Sequence, residues 1–158
     1  MNNGFIVSLH YRIGRYLYLN RQWPVHGILL ILYKIYYRWL QFFFSCEISY
    51  LNDIGSGFRF VHCVGSILHP QIKIGKNFHL AQNVTLGDAG GIPTIGNNVV
   101  IAPGVKIFGP IQIGNGVVIG ANAVVNKDVP DNARVGGVPA RVLSSKGSQE
   151  FMTYVDYE

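Results

Sequence analysis

Charge is scarce in this chain and unevenly spread: 13% of its 158 residues are Asp, Glu, Lys or Arg, and no acid precedes Glu47. Cysteine is scarcer still. Cys46 and Cys63 are too few for a disulfide framework and lack a Cys-x-x-Cys spacing, so a reducing cytoplasm is the expected compartment. The N-terminus has no basic start ahead of its apolar run and no small-residue cleavage site, so no export signal is expected. A full membrane span is not expected either, because Lys34 and Arg38 interrupt the greasy stretch Ile28–Phe44. Disorder is excluded by a 49% hydrophobic content, and 19 glycines suit a turn-rich β architecture. The length allows one core plus an appendage.

The net charge of +5 resides in that appendage. Arg12, Arg15, Arg21, Lys34 and Arg38 all precede Glu47, and the remaining Lys and Arg balance the acids. These cations are interleaved with bulky aliphatics rather than gathered on a polar face, which argues against nucleic acid as a partner. Residues 1–46 read as a basic, aromatic helical segment broken at Pro24. The second helix carries Lys34, Arg38 and Gln41 on one face, with Leu29, Leu32, Ile35, Tyr36, Trp39, Leu40 and Phe43 around the rest. Such a helix can lie in the inner membrane surface, or pack on the rest of the chain or on a sister subunit.

What is abundant is a period of six. Ile95, Ile101, Ile107, Ile113, Ile119 and Val125 recur without a slip, each followed four residues later by Val99, Val105, Ile111, Val117, Ala123 or Val129. A helix asks for about 3.6 and a free strand for two, so short strands bent at regular corners are implied. That is the pattern of a parallel β-helix with three hexads per turn. Earlier, Ile48, Ile54 and Phe60 keep the period. The register then slips by two beside His62 to Leu68, Ile74, Leu80 and Leu86, and Asp88–Thr94 breaks it again. Residues 47–143 are thus expected to form the coil and 144–158 a tail, with Ser144–Gln149 flexible.

Hexads followed by VVNKDVPDNARVGGVPARV resemble the left-handed β-helix acyltransferases. Glu47–Gly65, NVTLGD at Asn83–Asp88 and the GVPAR ending narrow the resemblance to the serine acetyltransferase branch and to short polysaccharide O-acetyltransferases. The resemblance implies a homotrimer with sites in the clefts between subunits, using acetyl-CoA and no metal. It assigns His62 as general base and Glu47 as the carboxylate that orients it. It puts Pro103, Ala121, Asn126, Lys127 and Arg141 against acetyl-CoA, and Asp88 and Ile92 beside the acceptor. A neutral imidazole is the natural base for a hydroxyl near neutral pH, whatever the family. A zinc site is disfavoured by spacing, since the stacked equivalent of His62 falls about 20 residues on, by the repeat, and His79 is nearer. Cys63 adjoins His62, yet neighbouring strand residues face opposite ways, so a Cys–His nucleophile pair is not expected.

Serine-specific members carry an Arg-His-Pro-Lys-Ile run where this chain has Gly91-Ile92-Pro93-Thr94-Ile95. Loss of a bidentate arginine removes a carboxylate clamp. The leading expectation is therefore an O-acetyltransferase acting on a sugar or lipid-linked polysaccharide precursor, cytoplasmic or peripheral at the inner membrane. Serine O-acetyltransferase is second, and a non-catalytic β-helix scaffold third.

Overall fold

The computed structural model describes residues 3–62 and 64–152. Two helices, α1 (Asn3–Leu19) and α2 (Pro24–Phe44), precede a three-sided parallel coil of short strands. The first side stacks β1 (Glu47–Ile48), β4 (Ile67–Leu68), β7 (Thr85–Gly87), β10 (Lys106–Phe108) and β13 (Val124–Val125). The second stacks β2 (Asp53–Ile54), β5 (Lys73–Ile74), β8 (Thr94–Ile95) and β11 (Gln112–Ile113). The third stacks β3 (Arg59–Phe60), β6 (His79–Leu80), β9 (Val100–Ile101), β12 (Val118–Ile119) and β14 (Arg134–Gly136). On this third side β15 (Arg141–Ser144) adds antiparallel.

The aliphatic of each hexad points inward, and so does the residue four places on. Ile101, Ile107 and Ile119 are buried, as are Val99, Val105 and Val117. Their stacking is in register: Phe60 on Leu80 on Ile101 on Ile119, and Ile48 on Leu68 on Leu86 on Ile107 on Val125. Leu68 pairs with Leu86 and Ile107 with Val125, each 18 residues apart, which is three hexads per turn. The two irregularities fall where the sequence breaks its rhythm. Phe60 and Leu68 occupy consecutive sides eight residues apart, and Leu86 and Ile95 nine apart, so two and three extra residues leave the coil.

Corners are closed by residues in the left-handed conformation. At the corner between the third and first sides, Gly104 (φ 78°) lies beneath Asn122 (φ 58°), and a Cβ on Gly104 would meet Asn122 Oδ1 at 2.0 Å. The asparagine side chain occupies the space that its glycine neighbour vacates.

A solenoid must protect its first rung, whose backbone has no partner below. Here α1 does so. Buried Tyr11 donates its hydroxyl to Asn52 O and accepts from Ile54 N, both at 3.0 Å. Arg12 donates to Ile54 O and Gly55 O, and Arg15 pairs with Asp53 at 3.0 Å. Two of the five N-terminal cations are therefore structural. The last rung is closed differently from the flexible tail expected for Ser144–Gln149. Ser144 belongs to β15, Ser148 is buried with its Oγ donating to Asn98 O at 2.6 Å, and Arg134 pairs with Glu150 of α3 (Gln149–Met152) at 2.8 Å. Arg134 also donates to Gly147 O, and these bonds hold the segment against the coil.

The hairpin of α1 and α2 is antiparallel and aromatic at its seam. His10 stacks on Tyr33 and Tyr37 with centroids 4.2 and 5.3 Å away, and burial pushes its imidazole down to about 4. The unfolded chain takes up this proton near pH 6.5, so the stability that depends on neutral His10 is complete above that pH and is lost as pH falls toward 4. Between pH 7 and 4.5 the wild-type protein is expected to lose ~2 kcal/mol more than His10→Phe, which keeps the stack without the titration. Denaturant melts at the two pH values test this, and parallel losses in both proteins would refute it.

Candidate active site

The register that builds the third side also builds one continuous corner. Two residues beyond Leu80, Ile101 and Ile119 stand Gln82, Pro103 and Ala121, one above another, and His62 follows Phe60 by the same two residues at the foot of this column, just past the last ladder pair. Backbone bonds run along this column, from Val61 N to Leu80 O, Gly104 N to Gln82 O and Asn122 N to Pro103 O, each 2.9–3.0 Å. His62, Pro103 and Ala121 are exposed, which leaves an open strip with a base at its foot. The top of the strip is the GVPAR turn, where Gly137 O accepts from Val124 N and Ala140 N donates to Val124 O. Arg141 opens β15 just beyond, and Asn126 and Lys127 leave β13 at its other end, all three exposed. The corner thus gathers His62, Pro103 and Ala121 directly, with Arg141 at its upper end.

The insertion that carries His62 puts it outside the ladder. Cys63 lies outside the described residues. His79 stacks on Arg59, not on His62, and burial followed by the Arg59 charge pushes its imidazole down. Among the described residues no three His, Cys, Asp or Glu side chains come together as a metal cage.

Glu47 starts β1 on the first side, opposite Ile67 of the next coil, and is exposed. Among the described residues no hydrogen bond or ion pair joins it to His62. It lines a cavity of about 310 Å³ beneath the C-terminal end of α2, with Tyr37, Gln41, Ser49, His69, Thr85 and Gly87 around it. Burial, with Cys46 and Glu47 nearby, raises the Tyr37 phenol. His69 Nδ1 accepts from Gln71 N at 3.3 Å, so in the neutral ring Nε2 carries the proton. Sequence reasoning did not single out this group. Its members span 50 residues and meet because β1, β4 and β7 stack beneath α2, and the one available signal was His69 on the same side as Glu47.

The loop after β7 begins at the edge of this cavity. Asp88 Oδ1 accepts from Gly91 N at 2.8 Å, so this carboxylate braces its own loop. Ile92 is half-buried and packs on the core. Gly91 lies against Pro110 of the coil above: a Cβ there would sit 2.5 Å from Pro110 Cβ.

Residues 92–127 match the family model for the bacterial transferase hexapeptide (six repeats). A serine acetyltransferase of Bacillus pumilus is 40% identical over 114 residues, covering 69% of this chain and 52% of the relative. Among solved structures, the serine acetyltransferase of Brucella abortus in complex with coenzyme A superposes with a TM-score of 0.81 at 29% identity, over 93% of this chain and 58% of that one. The chain belongs to the hexapeptide-repeat family of left-handed β-helix proteins. A third hexapeptide-repeat relative, the Neisseria gonorrhoeae serine acetyltransferase in complex with serine, gives 0.74 at 30% identity over 89% and 57%. The chain spans about half the length of the curated relatives it matches. Because the superpositions cover about nine-tenths of this chain, they include helical residues as well as the hexapeptide coil.

Reinstating the arginine of the serine-specific run tests how far this hexapeptide-repeat loop has been rebuilt. Gly91→Arg is expected to destabilise by about 1–3 kcal/mol through overpacking on Pro110. Pro110→Gly is expected to recover much of that loss in a double-mutant cycle of melting free energies. Additive losses would show that the contact is unimportant.

Proposed function

We propose that this protein is an acetyl-CoA-dependent O-acetyltransferase, working as a homotrimer with His62 as general base. The observation that supports the reading is the shared corner: Pro103 and Ala121 stack in one exposed strip, and His62 is exposed at its foot, two residues past Phe60. Small side chains let a pantetheine arm lie along the rungs. Lys127 and Arg141 near the upper end suit its phosphates. His62 takes the acceptor hydroxyl proton as that oxygen attacks the thioester carbonyl. The carbon–sulfur bond then breaks, and the imidazolium returns the proton to the departing thiolate. Glu47, at the start of the same first coil, supports the imidazolium once an acceptor or a neighbouring subunit closes the site. No step needs a metal.

The relatives reverse the order of acceptors expected from sequence. Their names support the hydroxyl of L-serine, and none of them supports a sugar. One structural observation favours the sugar hydroxyl as a second reading. The loop that carries a cation in serine-specific members is here a glycine pressed on Pro110, and Asp88 is the only charge from Gly87 to Thr94. A carboxylate-bearing acceptor needs a positive partner, whereas a polyol is served by the hydroxyls, amide and Nε2–H that line the Glu47 cavity.

One assay separates these readings. Acetyl transfer from acetyl-CoA is measured against L-serine, nucleotide sugars and lipid-linked sugars in parallel, with wild type and His62→Ala. The wild type is expected to acetylate one class, and His62→Ala to fall by about 10²–10⁴-fold with acetyl-CoA binding retained. Full activity in the variant would remove His62 from the mechanism. Absence of acetyl-CoA binding by the wild type would leave a scaffold.

A further inference from the structure

The apolar surface left over by the fold is concentrated on the helical hairpin. Among the described residues, 16 of the 24 exposed large apolar side chains lie between Phe5 and Phe43. On α2 they form one stripe along its whole length, including Ile28, Leu32, Ile35, Trp39, Phe42 and Phe43, the last two 79% and 70% exposed. The opposite face is the packed one, where Leu30 and Tyr33 are buried and Tyr37 meets His10. Exposed apolar residues at this spacing are not ordinary surface scatter.

We infer that the outer face of α2 docks on an anionic lipid surface. Charge decides the occupant. Residues 1–46 contain no acid, and with Arg12 and Arg15 committed to the first rung, Arg21, Lys34 and Arg38 remain as exposed cations on the hairpin. Lys34 and Arg38 lie four apart, along one border of the apolar stripe, where long side chains reach headgroups while the stripe enters the acyl boundary. Trp23, Trp39, Tyr16 and Tyr36 provide exposed amphipathic rings of the kind that settle at that boundary. A second copy is the poorer occupant, because a twofold contact sets the same patch against itself and brings these cations together without an acid to offset them. Spanning is not the alternative: no helix among the described residues is long and apolar enough to cross a membrane.

The geometry couples docking to the candidate active site. Tyr37 and Gln41, from the face of α2 turned away from the stripe, line the Glu47 cavity. The cavity therefore lies about one helix diameter, roughly 10 Å, from the lipid boundary. The docking inference itself does not depend on which hydroxyl is acetylated.

The test is flotation of the full chain with vesicles of phosphatidylcholine alone or with about a third phosphatidylglycerol. Co-flotation with the anionic vesicles only, with a blue shift of tryptophan emission, is expected. The pair Lys34→Glu with Arg38→Glu, and separately Phe42→Ser with Phe43→Ser, should each lower the bound fraction at least about tenfold. Their melting curves should be unchanged, since none of the four side chains is buried. Equal binding to neutral vesicles, no binding to either, or loss of a solution oligomer in the Phe42/Phe43 variant with lipid binding intact would each overturn the inference.

Discussion

The constraint on which this molecule depends is that each rung must find its backbone partners in the rung above. Strands of two to four residues cannot stand alone, and they persist because successive turns place N–H under C=O and aliphatic on aliphatic around the coil. Once that register holds at 18 residues per turn, surplus residues have nowhere to go except outward at a corner. His62 owes its exposure to this rule, and so does the loop that begins at Asp88.

The same constraint explains the ends. An open first rung offers unpaired groups at β2, and Tyr11, Arg12 and Arg15 of α1 satisfy them from outside the coil. At the other end, β15 turns back antiparallel and the following segment is pinned through Ser148 and Arg134. Closing both ends with different devices leaves α1 as a wedge between coil and α2. The outer face of α2 is left without a partner among the described residues, while its inner face reaches the Glu47 cavity.

Much of this was legible in the residues. The six-fold rhythm from Ile95 to Val125 specified the coil, its core ladder and the stacking of Pro103 on Ala121, because repeat length and structural period are the same quantity. The slips beside His62 and at Asp88 marked where residues leave the coil. Cross-coil chemistry was illegible. That Tyr37, Glu47, His69 and Thr85 share a cavity depends on how α2 meets the first side, which no local pattern encodes. The tail was misjudged because Ser148 and Glu150 look like ordinary solvated residues until Asn98 and Arg134 are placed beside them. The acceptor ranking followed the missing arginine, and the named relatives point the other way.

On the proposed function, the corner column is the donor wall and His62 its chemical end. A crystal structure of the protein with coenzyme A tests it most directly. The pantetheine arm is expected along Pro103 and Ala121, with its thiol within hydrogen-bond reach of a His62 ring nitrogen and its phosphates near Lys127 or Arg141. Coenzyme A bound on another face of the coil, with His62 facing empty solvent, would contradict it.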